Sequence, residues 1–209
     1  VVAYSSLSEK HPAYMINVTR VLVGLPFFFL LMVFDFGLTG TFHQLASLEP
    51  RQYAWLLLGV LSSYALGDAL FFESAKRLGA TSALALASVY PLWAALSAWV
   101  FKGEALAWQN ILGVLGVVAG TMIVIVFSAG KKHAEDSKLT KAKVKGIGIA
   151  FGLGTSVAWA TNSFAINQGG EGISSILSNT VRLTMALFLA PLFGIALNGV
   201  KSFRLIPVK

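Results

Sequence analysis

The chain has 209 residues, of which 56% are hydrophobic and only 12% charged, with a net charge of +7 and no cysteine; its mean hydropathy is +0.74. Soluble domains run near 25% charged residues, so a chain this apolar reads as a polytopic membrane protein built from helices. Disulfides and thiol chemistry are excluded, and the redox compartment stays open.

Val1 to His11 reads as a short apolar stub followed by a polar loop. Ala13 to Phe34 is the first complete span, with Arg20 inside it and Pro26 expected to kink it. Asp35 to Arg51 is expected to be a loop. Tyr53 to Phe72 spans again, with Asp68 inside, and Glu73 to Leu78 reads as a charged turn. Thr81 to Phe101 and Ala105 to Phe127 are apolar runs of roughly 20 residues each, enough to cross a hydrocarbon core of about 30 Å. Only Lys102-Gly103-Glu104 separates them, so they form an antiparallel hairpin.

Ser128 to Lys145 is the only long hydrophilic segment and divides the chain into two halves. Gly146 to Ile166 spans, with Gly148, Gly152, Ser156 and Ala160 at every fourth position, a stripe that lets another helix approach closely. Ile173 to Leu197 is the last span. The expected fold is all-α, a membrane bundle of six complete helices and an N-terminal stub.

An internal repeat links the halves. Asn17-Val-Thr-Arg20-Val-Leu-Val matches Asn179-Thr-Val-Arg182-Leu-Thr-Met, 162 positions on, each near the start of a long apolar helix. The two helices are five spans apart, an odd number, so they cross in opposite directions. That is the arrangement of an inverted-topology repeat. The same offset sets Val1 opposite Ser163, so the stub reads as the tail of a helix whose beginning is absent.

Basic residues favour one orientation. Twelve of the 16 lysines and arginines fall on the side holding Val1 to His11, and only Arg51 and Lys102 on the other. The positive-inside rule makes the first side cytoplasmic. It also accounts for the basic excess without nucleic acid.

The hairpin region carries a resemblance. Gly67, then Leu78-Gly79-Ala80-Thr81-Ser82-Ala83, then Pro91, Gly103-Glu104, Gln109 and the glycines Gly113, Gly116 and Gly120 follow in the order seen in EamA-type repeats. The chain therefore resembles the EamA-type transporters of the drug/metabolite transporter superfamily. The resemblance implies a ten-helix bundle made of two five-helix repeats. On that plan residues 1–127 are the first repeat, 128–145 a basic linker and 146–209 the start of the second. The first helix and the last three would be absent. It also implies two cytoplasmic termini and an external linker, which disagrees with the charge count; orientation stays open.

Charges inside a bilayer cost at least about 2.5 kcal/mol each, so Arg20, Asp68 and Arg182 are functional candidates by default. Arg20 and Asp68 lie at similar depth from one face and suggest a gating pair. The plainer readings are a structural pair, or snorkelling of Arg20 to the interface. Arg182 is expected near the opposite face, with the position matching Asp68 beyond Lys209. Trp159-Ala-Thr-Asn162 is similar to the family's Trp-x-x-Asn pattern, which implies that Trp159, Asn162 and also Asn167 face a central cavity. Tyr64, Asp68, Tyr90 and Trp93 complete the expected substrate-binding set. For these aromatics packing is the plainer reading, and for Asn162 a helix–helix contact.

Pro91 is expected to free a carbonyl near mid-membrane. Glu104 and the three glycines after it read as structural. His11, His43 and His133 read as loop residues without ligand spacing, and no metal, cofactor, phosphate-loop or nucleophile–base motif appears. The function expected is therefore not enzymatic. It is a multi-pass secondary carrier of small organic solutes such as amino acids, metabolites or drugs, in the cell membrane, working by alternating access. The competing readings are a non-transporting assembly or sensor protein, and an inactive fragment. The partners expected are the bilayer and a small-molecule substrate, with no nucleic acid; homo-oligomerisation stays open.

Overall fold

The computed structural model describes residues 13–103, 108–128 and 138–198. The N-terminal stub, His11, Glu104, His133 and the centre of the linker lie outside the described residues. Eight α-helices and one π-helical segment follow in order: α1 Ala13–Ala46, α2 Pro50–Val60, the π segment Leu61–Gly67, α3 Asp68–Leu78, α4 Ala80–Ala87, α5 Tyr90–Lys102, α6 Trp108–Ser128, α7 Lys138–Gly169 and α8 Ser175–Asn198. No strand occurs among the described residues. Four stretches are long and apolar enough to cross a membrane, Asn17–Ala46, Pro50–Leu78, Ala80–Phe101 and Lys145–Gly169, and Trp108–Ile123 and Ser175–Leu189 are shorter apolar helices.

Three expectations need correction. The segment expected as a loop from Asp35 to Arg51 is mostly helix, and His43 lies on it. Pro26 lies inside the helix, and non-helical backbone comes at Gly37, with φ 68 and ψ 170. Only glycine readily adopts that conformation. Beyond it the chain re-enters a helix because Leu45 and Leu48 have a core to join, with Leu56 and Leu177. Tyr53 Oη locks this end by donating to the Leu45 carbonyl at 2.7 Å.

Glu73 to Leu78 is likewise not a turn. It is the last part of α3, where Glu73 pairs with Lys76 at 2.7 Å and with Arg77 one turn on. Finally, the span from Thr81 to Phe101 is two helices, broken at Ser88-Val89. Pro91 stands at the start of α5, where its missing N–H breaks no helical bond. Thr121 of α6 donates to the Ala85 carbonyl at 3.1 Å, so α6 satisfies part of the broken end of α4.

Helix α7 is the axis of the bundle, because its glycines admit neighbours to the backbone. A methyl at Gly148 would lie 2.7 Å from Leu78 Cγ, and one at Gly152 would lie 2.7 Å from Leu86 Cδ1. On one flank α2, the π segment and α3 run antiparallel to α7, since Leu56 meets Gly169, Gly67 meets Trp159 and Leu78 meets Gly148. On another flank Trp93 meets Ser156 and Phe101 meets Phe164, so α5 runs parallel to it.

The helices holding the two arginines pack directly on each other. Gly24 faces Leu183, while further along α1 Met32 shares a buried cluster with Leu177 and Val181. Rising numbers on α1 meet falling numbers on α8, so the two helices are antiparallel. The outward faces are apolar, with Phe34 88% exposed and Phe101 and Val23 each 73% exposed. Such a surface suits lipid.

Candidate functional site

Tyr64 is the midpoint of the span Pro50–Leu78, and the backbone there is π-helical. In the π register the Asp68 N–H reaches the Ser63 carbonyl, five residues back. A π segment disturbs the normal ladder and is common at functional sites. Here Asn17 Nδ2 crosses from α1 to donate to the Tyr64 carbonyl at 3.1 Å.

Asp68 follows at once and is buried. Arg20 Nη1 stands 3.6 Å from Asp68 Oδ2, and the Asn17 amide and Trp159 indole also flank the carboxylate. The Arg20 guanidinium lies 4.8 Å from the centroid of the Tyr64 ring, a cation–π contact. Trp159 can reach this place because residue 67 has no side chain. A Cβ there would be 2.6 Å from Trp159 Cδ1 and 2.8 Å from its Nε1. On its other side the indole stacks on Phe71 at 5.8 Å and 27°.

One turn further along α7, Asn162 Oδ1 accepts from Arg182 Nη2 at 2.9 Å, and Asn179 Oδ1 is 3.3 Å from Arg182 Nη1. Arg182 is therefore one turn along α7 from the Trp159–Asp68 contact. Tyr64 packs against the same core cluster as Leu183, the next residue. Among the described residues no carboxylate lies within ion-pair distance of Arg182.

Arg20, Tyr64, Asp68, Trp159, Asn162 and Arg182 thus form one cluster inside the spans. Three other expected residues do not join it. Trp93 Nε1 donates to Ser156 Oγ at 2.9 Å, so its polar atom is spent on holding α5 to α7. Tyr90 is 38% exposed at the start of α5. Asn167 lies beyond the cluster, on the lining of a cavity beside the α7–α8 turn.

Sequence reasoning did not single out Asn17, Asn179, Gly67 or Phe71 as site residues. The first two were signalled by the repeated Asn-x-x-Arg motif. Gly67 stands out only as part of the family's glycine pattern and Phe71 not at all, because their role depends on where Trp159 arrives.

Apart from Asp35, which lies exposed within the span Asn17–Ala46, charges outside the cluster are found toward the two ends of the described helices. Arg77 lies over the Phe151 ring at 4.8 Å, near Lys145 on the next turns of α7. At the other end, beside Arg51, Gln52 Nε2 donates to the Glu171 carbonyl at 3.0 Å.

Apolar spans with a buried, partly paired charge cluster between them are a transporter's pattern. The model of the EamA-like transporter family matches residues 1–126. The chain belongs to this family. Its members are transporters of the drug/metabolite superfamily rather than enzymes, so the chain is a multi-pass membrane transporter. Among curated proteins and among solved structures, no significant match was found.

Proposed function

We propose that this protein is a secondary carrier of small organic solutes in the cell membrane, working by alternating access between two inverted halves. The observation that carries the reading is the cluster at the π segment. Arg20, Asp68, Tyr64 and Trp159 meet at the level of the Pro50–Leu78 midpoint, where a charge without a function is a cost of a few kcal/mol. Substrate binds against Tyr64, Asp68, Trp159 and Asn162. The Arg20–Asp68 pair gates one end of the path, and Arg182 the other.

The antiparallel course of α1 and α8, each bearing Asn-x-x-Arg, supports the two-halves reading. No nucleotide-binding motif occurs in the sequence, which favours coupling to a gradient or to an exchanged solute. On the charge count, the end bearing Lys76 and Arg77 is cytoplasmic.

The test is uptake and counterflow in proteoliposomes holding the full chain, against a panel of amino acids, sugars and organic cations. At least one solute is expected to move, and the double variant Arg20→Gln with Asp68→Asn is expected to stop it. Transport by that variant equal to the parent's removes the gating role. No movement of any solute removes the carrier.

A further inference from the structure

The buried cluster holds two guanidiniums and one carboxylate. Asp68 is committed to Arg20 at 3.6 Å. Among the described residues, Arg182 is held by the neutral amide oxygens of Asn162 and Asn179. Its Nε is buried and has no hydrogen-bond partner among the described residues. A partly buried guanidinium with no carboxylate beside it among the described residues gains from an incoming anion, and its planar fork fits a carboxylate with two parallel bonds.

A cavity lies next to Asn179, the partner of Arg182. Of about 370 Å³, it opens beside the α7–α8 turn, lined in part by Asn167, Ser178 and Asn179. Ser178 Oγ is another buried polar atom without a partner, and Asn179 both lines the cavity and touches Arg182. Glu171, also on the lining, is exposed to solvent, which screens its charge, whereas the Arg182 end is sheltered.

We infer that Arg182 is the anchor for a carboxylate on the transported solute, entering from the cavity by way of Ser178 and Asn179. This rests on the carrier reading for its biological meaning, but the binding itself can be measured without transport. Hydrogen bonds to a charged partner are the strong kind, and a bidentate one is expected to favour a carboxylate over its neutral amide by roughly 10- to 100-fold.

The experiment uses three probes on one carbon skeleton, 4-methylpentanoate, 4-methylpentanamide and isopentylamine, titrated against the full chain in nanodiscs. The carboxylate is expected to bind at least about tenfold more tightly than the other two. Arg182→Gln is expected to erase that preference and Arg182→Lys to keep part of it. Because Arg182→Gln could fail to fold, Asn162→Asp provides a second arm. It sets a carboxylate where Arg182 Nη2 already bonds, so this variant is expected to melt higher and to lose the preference.

Equal binding of all three probes overturns the inference, as does an undiminished preference in Asn162→Asp. So does chloride at matched ionic strength reproducing the carboxylate's effect, which would make the site one for inorganic anions. Transport of solutes with no carboxylate preference removes the anchor and leaves the carrier. A carboxylate preference in a protein that moves nothing does the reverse.

Discussion

Substituting Gly67 by alanine separates packing from propensity by sign. Alanine in place of a helical glycine normally stabilises, by roughly 0.5–1 kcal/mol. Here the added Cβ would fall 2.6 Å from Trp159 Cδ1, 2.8 Å from its Nε1 and 3.0 Å from the Ser62 carbonyl oxygen. Carbon atoms rest about 3.5 Å apart or more, so the indole must retreat by about 1 Å. It has little freedom to do so, because Phe71 stacks behind it at 5.8 Å. Overpacking of this kind costs about 1–3 kcal/mol, which exceeds the propensity gain.

Gly67→Ala is therefore expected to lower the unfolding temperature of the purified full chain. In a Trp159→Ala background, where the obstacle is gone, the same change is expected to be neutral or stabilising. The double-mutant cycle should report a coupling of about 1–3 kcal/mol. If Gly67→Ala raises the unfolding temperature in both backgrounds, the close approach of Trp159 to the π segment is wrong, and the cluster built on it falls as well.

Asp68→Asn alone is expected to destabilise by about 1–3 kcal/mol, less than the 3–5 kcal/mol of a fully buried pair, because Arg20 is 41% exposed and can extend toward the interface. Adding Arg20→Gln should recover part of that loss in thermal unfolding, and no recovery would mean that the two do not act as a pair. Trp93→Phe removes one neutral hydrogen bond to Ser156 and should cost about 1 kcal/mol of stability while leaving solute affinity unchanged. A large fall in affinity with normal stability would return Trp93 to the binding site. The sequence contains no cysteine, so single cysteines report orientation cleanly. In intact cells an impermeant maleimide is expected to label Ser47→Cys, and Lys76→Cys only after permeabilisation; the reverse pattern would overturn the cytoplasmic placement of the Lys76 end.

The membrane-spanning character, the approximate course of the spans and the meeting of Arg20 with Asp68 were all legible in the chain. Each depends on local length, on local apolarity, or on depth counted at a fixed rise per residue. Where the sequence misled, a local signal was overruled by packing. Asp35–Arg51 looks like a loop, yet Leu45 packs against the cluster of Leu48, Leu56 and Leu177 and most of the segment is helix. Pro91 looks like a mid-span kink, yet the chain breaks before it and uses it to open α5.

By itself, then, the sequence determined that this chain lives in lipid, belongs among the transporters and carries three charges where charges are expensive. Beyond the Arg20–Asp68 pair, only the tertiary structure decided which groups those charges meet. Depth follows from counting residues, but a partner depends on the rotation of each helix about its own axis. That rotation is set by where glycines such as Gly67, Gly148 and Gly152 allow neighbours to close in. So the π turn at Tyr64, the seat of Trp159 on Gly67 and the amide cradle of Arg182 exist only once the helices are side by side.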